Sequence, residues 1–201
     1  VYADPEINTY LVENRYDSEK GATAVKKLLE LPMDEEGQPE AYPAVRFVLK
    51  RYYTDNTGSY TQPVIVQYHT WDSKDVETAY EAAKAGNSAA GTAAAPLEKI
   101  FKFENLDVYA PNGSRFIYFV EEEKAYLGGY DTWGDWGDKD AAELKTESTR
   151  LEDTAAAAGG VAVALTRKEG QGLALTLGGQ EEPAVAATFL NAPGAERETV
   201  K

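Results

Sequence analysis

The segment Asp131–Asp140, with the sequence DTWGDWGDKD, is the densest grouping of residues in the chain that could do chemistry. It brings carboxylates and glycines close together, and carboxylate oxygens are ligands that Ca²⁺ prefers. The segment lacks the regularly spaced Asp residues and the closing Glu of an EF-hand loop. A Ca²⁺ site and a solvated acidic loop are both open here, and charge runs of this kind favour the acidic loop.

Histidine and cysteine add little further chemistry. His69 is the only imidazole, and the chain contains no Cys. A cluster of His ligands is therefore excluded, as are thiolate ligands, a Cys nucleophile and a disulfide scaffold. We expect a structural role for His69, and neither a metal nor a cofactor.

The composition narrows the class of partner. The 201 residues include 34 acidic and 20 basic side chains, for a formal net charge of −14. Such a chain has no broad basic surface to neutralise phosphates, which counts against nucleic-acid binding. No run of about eighteen apolar residues is present, so no membrane span is expected. Three Trp, thirteen Tyr and six Phe argue for a folded domain rather than a disordered one.

Period-two alternation predicts that these residues are held on a mostly-β framework. One helix is expected, with Asp72 or Ser73 as its N-cap and Gly86 as its stop. The low-complexity stretch that follows, 87–95, predicts a flexible loop. The most economical architecture is a β-sandwich with a helix-bearing insertion. Its strands are predicted at 7–14, 22–31, 44–53, 62–70, 99–103, 116–122, 130–133, 161–167, 173–177 and 185–191.

Three stretches, taken in order, resemble one known family. VKKLLE at 25–30 leads through an acidic turn to the strand AVRFVL. FENLDVYAPNGSRFIYFVEE at 103–122 is similar to an F-x-N-L-P … G-x-x-I-x-Y-x-V-x-E block, and GYDT at 129–132 follows it. ATFLN at 187–191 is similar to a closing strand that ends on Asn. Together they resemble the Cna B-type domain, an immunoglobulin-like β-sandwich of Gram-positive surface adhesins and pilins.

The resemblance implies a domain organisation. Residues 20–201 would form an elaborated Cna B-type domain, with a helix-containing insertion near 72–96 and a long insertion near 134–183 before the last strand. Residues 1–19 would be an N-terminal strand or link, or the remnant of a preceding domain. The chain opens on Val1 without an initiator Met, which fits a piece of a longer protein.

The resemblance also implies a chemistry. Members of the family commonly join a Lys of the first strand to an Asn or Asp of the last by an intramolecular isopeptide bond, assisted by an acidic residue of a middle strand. Carried over by motif, these residues are Lys27, Asn191 and Glu122. Burial lowers the pKa of an amine and so supplies a nucleophile, and a neutral buried carboxylic acid can hydrogen-bond the amide carbonyl and carry protons. The reaction would occur once per chain, so the protein would not be a turnover enzyme.

Side-chain alternation supports two of these assignments. Lys27 shares its strand face with Val and Leu, whereas Lys26 shares its face with a Glu. Asn191 shares its face with Val, Ala and Phe. Glu121 and Glu122 both alternate with apolar residues, so the pattern leaves that choice open.

Three functions are compatible with these residues and motifs. The first is a structural or stalk domain of a cell-wall-attached bacterial adhesin or pilin, extracellular and joined to adjacent domains of the same surface protein. The second is a ligand-binding adhesin module that uses the inserted segments to bind a host protein or glycan. The third is a polysaccharide-active enzyme, for which no carboxylate pair stands out in the sequence.

Overall fold

The computed structural model describes residues 19–194, except 88, 125–126, 128, 156–159 and 179–180. The strand predicted at 7–14 and nearly all of the predicted 1–19 link therefore lie outside the described residues. Within the described part of the chain, no helix is both long enough and apolar enough to cross a membrane.

The described residues form ten strands and two helices. In chain order these are β1 (Lys20–Leu29), β2 (Val45–Tyr52), β3 (Val64–Trp71), α1 (Ser73–Lys84), β4 (Leu97–Asp107), β5 (Ile117–Glu123), β6 (Tyr130–Trp136), α2 (Ala141–Glu147), β7 (Thr154–Ala155), β8 (Val161–Ala164), β9 (Thr176–Leu177) and β10 (Val185–Pro193).

The strands make two sheets that pack as a sandwich, which confirms the predicted mostly-β sandwich. The first sheet has the order β4-β1-β10-β6, and the short β9 pairs with the start of β1. The second sheet has the order β3-β2-β5-β8-β7. β1 and β10 run parallel, whereas the other pairs are antiparallel. The first and last described strands are thus side by side at the centre of one sheet.

The core lies between the sheets because alternate side chains of each strand point inward. Phe47 of β2 is fully buried, and its ring meets Phe101 of β4 and Phe189 of β10 edge-on, with centroids 5.0 and 5.1 Å away. Edge-to-face packing of this kind stabilises beyond the area buried, by about 0.5–1.5 kcal/mol a pair. These rings connect the two sheets at the level of the candidate site.

Helix α1 confirms the predicted helix. Asp72 is its N-cap, and the Asp72 carboxylate accepts a hydrogen bond of 2.8 Å from the backbone N–H of Asp75. Val76 and Tyr80 are buried in the main core. The helix therefore belongs to the sandwich and closes one end of its core.

Helix α2 was not among the predicted elements. It begins in a capping box, with Asp140 and Glu143 each bonding the other's backbone N–H. Leu144 is its buried residue and packs with Leu28 of β1 and Leu190 of β10. The helix covers the outer face of the first sheet behind the two central strands.

The 134–183 segment is built into the sandwich. It supplies β7 and β8 to the second sheet, and Leu165 and Leu173 to the main core. The strands predicted at 161–167 and 173–177 are shorter in the structure, whereas the strands predicted at 99–103 and 130–133 extend to Asp107 and Trp136. Residues 89–95 form turns and isolated bridges beside α1.

Candidate crosslinking site

Lys27 lies on the inner face of β1 with its side chain fully buried. Its ammonium forms an ion pair and hydrogen bond with the carboxylate of Glu122, which belongs to β5 of the opposite sheet. Lys26 points away from the core, and its ammonium pairs with Asp138. The alternation that favoured Lys27 over Lys26 therefore matches the burial in the structure.

Glu122, and not Glu121, faces the core. Glu122 is fully buried, between Phe47 of β2 and Val163 of β8 in the strand pairing. The Glu121 side chain is turned to the other side of the sheet, where its carboxylate is 2.9 Å from the ammonium of Lys50. The structure thus decides the placement that the sequence pattern left open.

Asn191 is held next to Lys27 by the register of β1 and β10. Lys27 pairs with Phe189 and Leu29 pairs with Asn191, so Lys27 and Asn191 are two positions apart on the same face of neighbouring strands. The backbone carbonyl of Asn191 accepts a hydrogen bond of 2.9 Å from the backbone N–H of Glu30, and the Asn191 side chain is fully buried. All three residues implied by the resemblance therefore lie in the same part of the core.

Burial sets the charge state of the amine. Desolvation lowers the pKa of Lys27 to about 8, against the opposing attraction of Glu122, and the positive charge of Lys124 lowers it further. The Lys27 ammonium also lies 6.0 Å from the ring centroid of Phe47. A neutral, nucleophilic amine is therefore far more accessible at Lys27 than at a solvated lysine.

Two acceptor oxygens in the site lack a hydrogen-bond partner among the described residues. They are Oε2 of Glu122 and Oδ1 of Asn191. An unpaired buried polar atom costs about 1–3 kcal/mol. A proton on Glu122 turns one of its carboxyl oxygens into a hydrogen-bond donor. An acid needs such a donor in order to polarise the carbonyl of the Asn191 amide.

The sequence reasoning missed one member of the site, Thr132 of β6. Thr132 pairs directly with Asn191 across β6 and β10, and its side chain is almost fully buried. The Nδ2 group of Asn191 donates a hydrogen bond of 2.7 Å to Oγ1 of Thr132. The available signal was that Thr132 lies in the strand predicted at 130–133, on the same face as Tyr130, but the pairing of β6 with β10 could not be read from the pattern.

The acidic segment 131–140 uses its carboxylates internally. The carboxylate of Asp131 lies 3.3 Å from the guanidinium of Arg150, and the carboxylate of Asp135 accepts a 3.1 Å hydrogen bond from the hydroxyl of Ser148. Asp138 pairs with Lys26, and Asp140 caps α2. Across the described residues, no three or more His, Cys, Asp or Glu side chains converge as metal ligands would. The prediction of an acidic loop is wrong for 131–136, which belong to β6, and holds only for the turn at 137–140 that leads into α2.

His69 packs against the core aromatic residues. Its ring centroid is 4.6 Å from that of Phe103, and its Nε2 is 3.2 Å from the Gln67 side-chain oxygen. Burial, with a smaller effect of Lys99, lowers the pKa of His69. This placement fits a structural residue.

Comparisons of the chain with protein-family models, with curated proteins and with solved structures found no match. The function proposed below therefore rests on the sequence resemblance and on the geometry of this site.

Proposed function

We propose that this chain is a structural domain stabilised by an autocatalytic isopeptide bond between Lys27 and Asn191, with Glu122 as the assisting acid. The observation that carries the proposal is a fully buried Lys paired with a fully buried Glu, beside a fully buried Asn on the neighbouring strand. Buried ion pairs are costly to desolvate and are weak evidence for stability alone. A reaction that neutralises the Lys27 ammonium and the Glu122 carboxylate would account for burying both groups.

The reaction balances without a cofactor. A proton passes from the Lys27 ammonium to Glu122, and the neutral Nζ attacks Cγ of Asn191 while the acid hydrogen-bonds the amide oxygen. The Nζ–Cγ bond forms, the Cγ–Nδ2 bond breaks, and Nδ2 leaves as ammonia with a proton that came from the Lys nitrogen through Glu122. Folding also supplies the proximity that makes this otherwise slow step fast.

The strand arrangement suits a load-bearing domain. β1 and β10 are parallel neighbours, and the bond would join Lys27 in the second half of β1 to Asn191 in the second half of β10. Force applied through the two ends of the chain would pass from β1 to β10 through a covalent bond, so residues 28–190 would not be extended. We infer a stalk domain of a Gram-positive cell-wall-attached adhesin or pilin of the Cna B type, extracellular and linked to adjacent domains.

The ligand-binding alternative has less support. Its proposed recognition surface, the 134–183 segment, contributes β8 and the core residues Leu165 and Leu173. Deleting that segment would disrupt the core and could not distinguish binding from folding. Point substitutions at its exposed positions, with a host protein or glycan as the probe, would be the suitable experiment.

Intact mass tests the proposal directly. We expect the denatured wild-type chain to be lighter than its calculated mass by one ammonia molecule, because Asn191 loses its side-chain nitrogen. The Lys27→Met and Asn191→Ala chains should show their full calculated masses. Lys26→Met is the matched control, since Lys26 pairs with Asp138 outside the core, and it should still lose ammonia. A wild-type chain of full mass would disprove the crosslink.

The rate of crosslinking should not increase as the pH is raised towards about 8, and it should fall above that value. The reactive state, with a neutral amine and a protonated carboxyl, holds the same number of protons as the Lys27–Glu122 ion pair. Above the Lys27 pKa of about 8 the pair loses its proton, so the rate should drop about tenfold per pH unit.

The measurement is a time course on chain freshly made by cell-free synthesis. Samples are diluted into buffers from about pH 6 to about pH 10, quenched in acid and analysed by mass. A rate that rose through pH 8 and then levelled would instead mean that the free amine reacts without an acid.

A further inference from the structure

The side chain of Thr132 lies against the atom that must leave in the proposed reaction. Thr132 is opposite Asn191 in the pairing of β6 with β10, and only 1 % of its surface is exposed. Its Oγ1 accepts the 2.7 Å hydrogen bond from Nδ2 of Asn191. This inference rests on the proposed function, because it concerns how the Asn191 amide is presented to Lys27.

An amide can enter such a site in two orientations, which exchange its oxygen and nitrogen. Productive attack needs the oxygen available to the acid and the nitrogen placed where it can depart. In the structure the nitrogen is bound by Thr132, whereas Oδ1 of Asn191 and Oε2 of Glu122 have no partner among the described residues. The reverse orientation would take the amide oxygen away from the acid.

We propose that Thr132 is a positioning residue, whose hydroxyl holds the nitrogen of the Asn191 amide and so leaves the amide oxygen free to accept a hydrogen bond from the acid. Thr132 acts through Asn191 and makes no bond to the amine or the acid. Its backbone is held on one side by the pairing of β6 with β10 and on the other by a 2.7 Å hydrogen bond from the backbone N–H of Leu151 to the Thr132 carbonyl, which favours precise orientation of a reacting group.

The surroundings of Thr132 fit the departure of ammonia on this side. Thr132 lines a surface cleft of about 540 Å³, together with Lys124, Arg150 and Asp153. Lys27, Glu122 and Asn191 do not line that cleft and have no exposed surface. Ammonia released from Nδ2 is therefore formed beside Thr132, which is the member of the site that borders the cleft.

A purely structural role for the Thr132 hydroxyl makes a different prediction. A bond that only satisfies two buried polar groups would contribute to stability, and its loss would leave the crosslinking rate of the folded chain unchanged. Thr188 of β10 provides the matched control. It is also fully buried, and its hydroxyl donates a 2.8 Å hydrogen bond to the carbonyl of Gly137.

The experiment follows ammonia loss over time in full-length chain made by cell-free synthesis, with the folded fraction of each sample measured by protease resistance. Relative to wild type, Thr132→Val should crosslink about tenfold more slowly, as expected for loss of one orienting hydrogen bond. Thr132→Ser keeps the hydroxyl and should stay within about twofold of wild type, as should Thr188→Val. Thr132→Ala and Thr132→Ser differ by one oxygen, so this pair tests the hydroxyl if the Val variant folds poorly.

Each result decides the question. Slow reaction of Thr132→Val and Thr132→Ala, with rescue in Thr132→Ser, supports the positioning role. The role is overturned if the Val and Ala variants react at the wild-type rate, if the Ser variant is as slow as Ala, or if Thr188→Val slows as much as Thr132→Val. A wild-type chain that never loses ammonia would instead reject the proposed function, and the positioning role with it.

Discussion

Replacing Glu122 by Ala is expected to eliminate the crosslink and to destabilise the fold. The variant removes the acid that would take the proton from Lys27, and it leaves the Lys27 amine fully buried without its counter-charge. Removing one partner of a buried ion pair typically costs about 3–5 kcal/mol. We therefore expect the full calculated mass by mass spectrometry and a much lower midpoint in urea.

The loss of the ion pair can be separated from the loss of the crosslink. In an Asn191→Ala background neither chain can form the bond, so the difference caused by Glu122→Ala reports the loss of the buried Glu122 side chain and its ion pair without any contribution from the crosslink. We expect about 3–5 kcal/mol there, measured by urea unfolding. A difference under about 1 kcal/mol would mean that the buried pair contributes no more than a surface pair does.

Glu121→Ala is the matched control for this prediction. Glu121 is the adjacent residue on the same strand, and its partner Lys50 lies with it on the outer face of the second sheet, where both side chains are only partly exposed. An ion pair that water still reaches is worth less than a fully buried one, so this variant should lose less stability than Glu122→Ala and should still lose ammonia. Ammonia loss in Glu122→Ala, or its absence in Glu121→Ala, would contradict the assignment of the acid.

Local alternation was enough to place two of the three site residues. Lys27 alternates with Val and Leu whereas Lys26 alternates with a Glu, and Asn191 alternates with Val, Ala and Phe, so the buried positions of Lys27 and Asn191 could be inferred from their neighbours. β5 gave no such contrast, because both of its faces are covered. Phe119 on the outer face is buried, with its ring 6.1 Å from that of Tyr52 and the guanidinium of Arg167 4.0 Å from its centroid.

What sequence could not supply was the set of contacts between distant strands. Thr132 becomes part of the site only because β6 pairs with β10, 59 positions further along the chain. Helix α2 was missed although its capping box, Asp140 to Glu143, was visible, because the surrounding acidic and Ala-rich stretch lacked a wide apolar stripe. A single buried residue, Leu144, holds it to the sheet.

The second large effect is expected from Asn191→Ala, which removes the crosslink and leaves Lys27 and Glu122 as an unreacted ion pair. The bond closes a loop of 164 residues (191 − 27). On the chain-entropy account, restricting the unfolded chain by such a loop stabilises the fold by about 5 kcal/mol. The substitution also leaves the Thr132 hydroxyl without its partner and opens a small cavity, so its total cost should be larger than the crosslink alone.

A double-mutant cycle isolates the crosslink from these local losses. In a Lys27→Met background no bond can form, so Asn191→Ala there removes only the side chain and its hydrogen bond. The cost of Asn191→Ala in the wild-type chain minus its cost in the Lys27→Met chain should be about 5 kcal/mol. Because the bond acts on the unfolded state, the urea dependence of unfolding should also be shallower in the crosslinked chain. Equal costs in the two backgrounds would mean that Asn191 stabilises the fold only through its contacts, since a covalent loop cannot be lost without enlarging the unfolded ensemble.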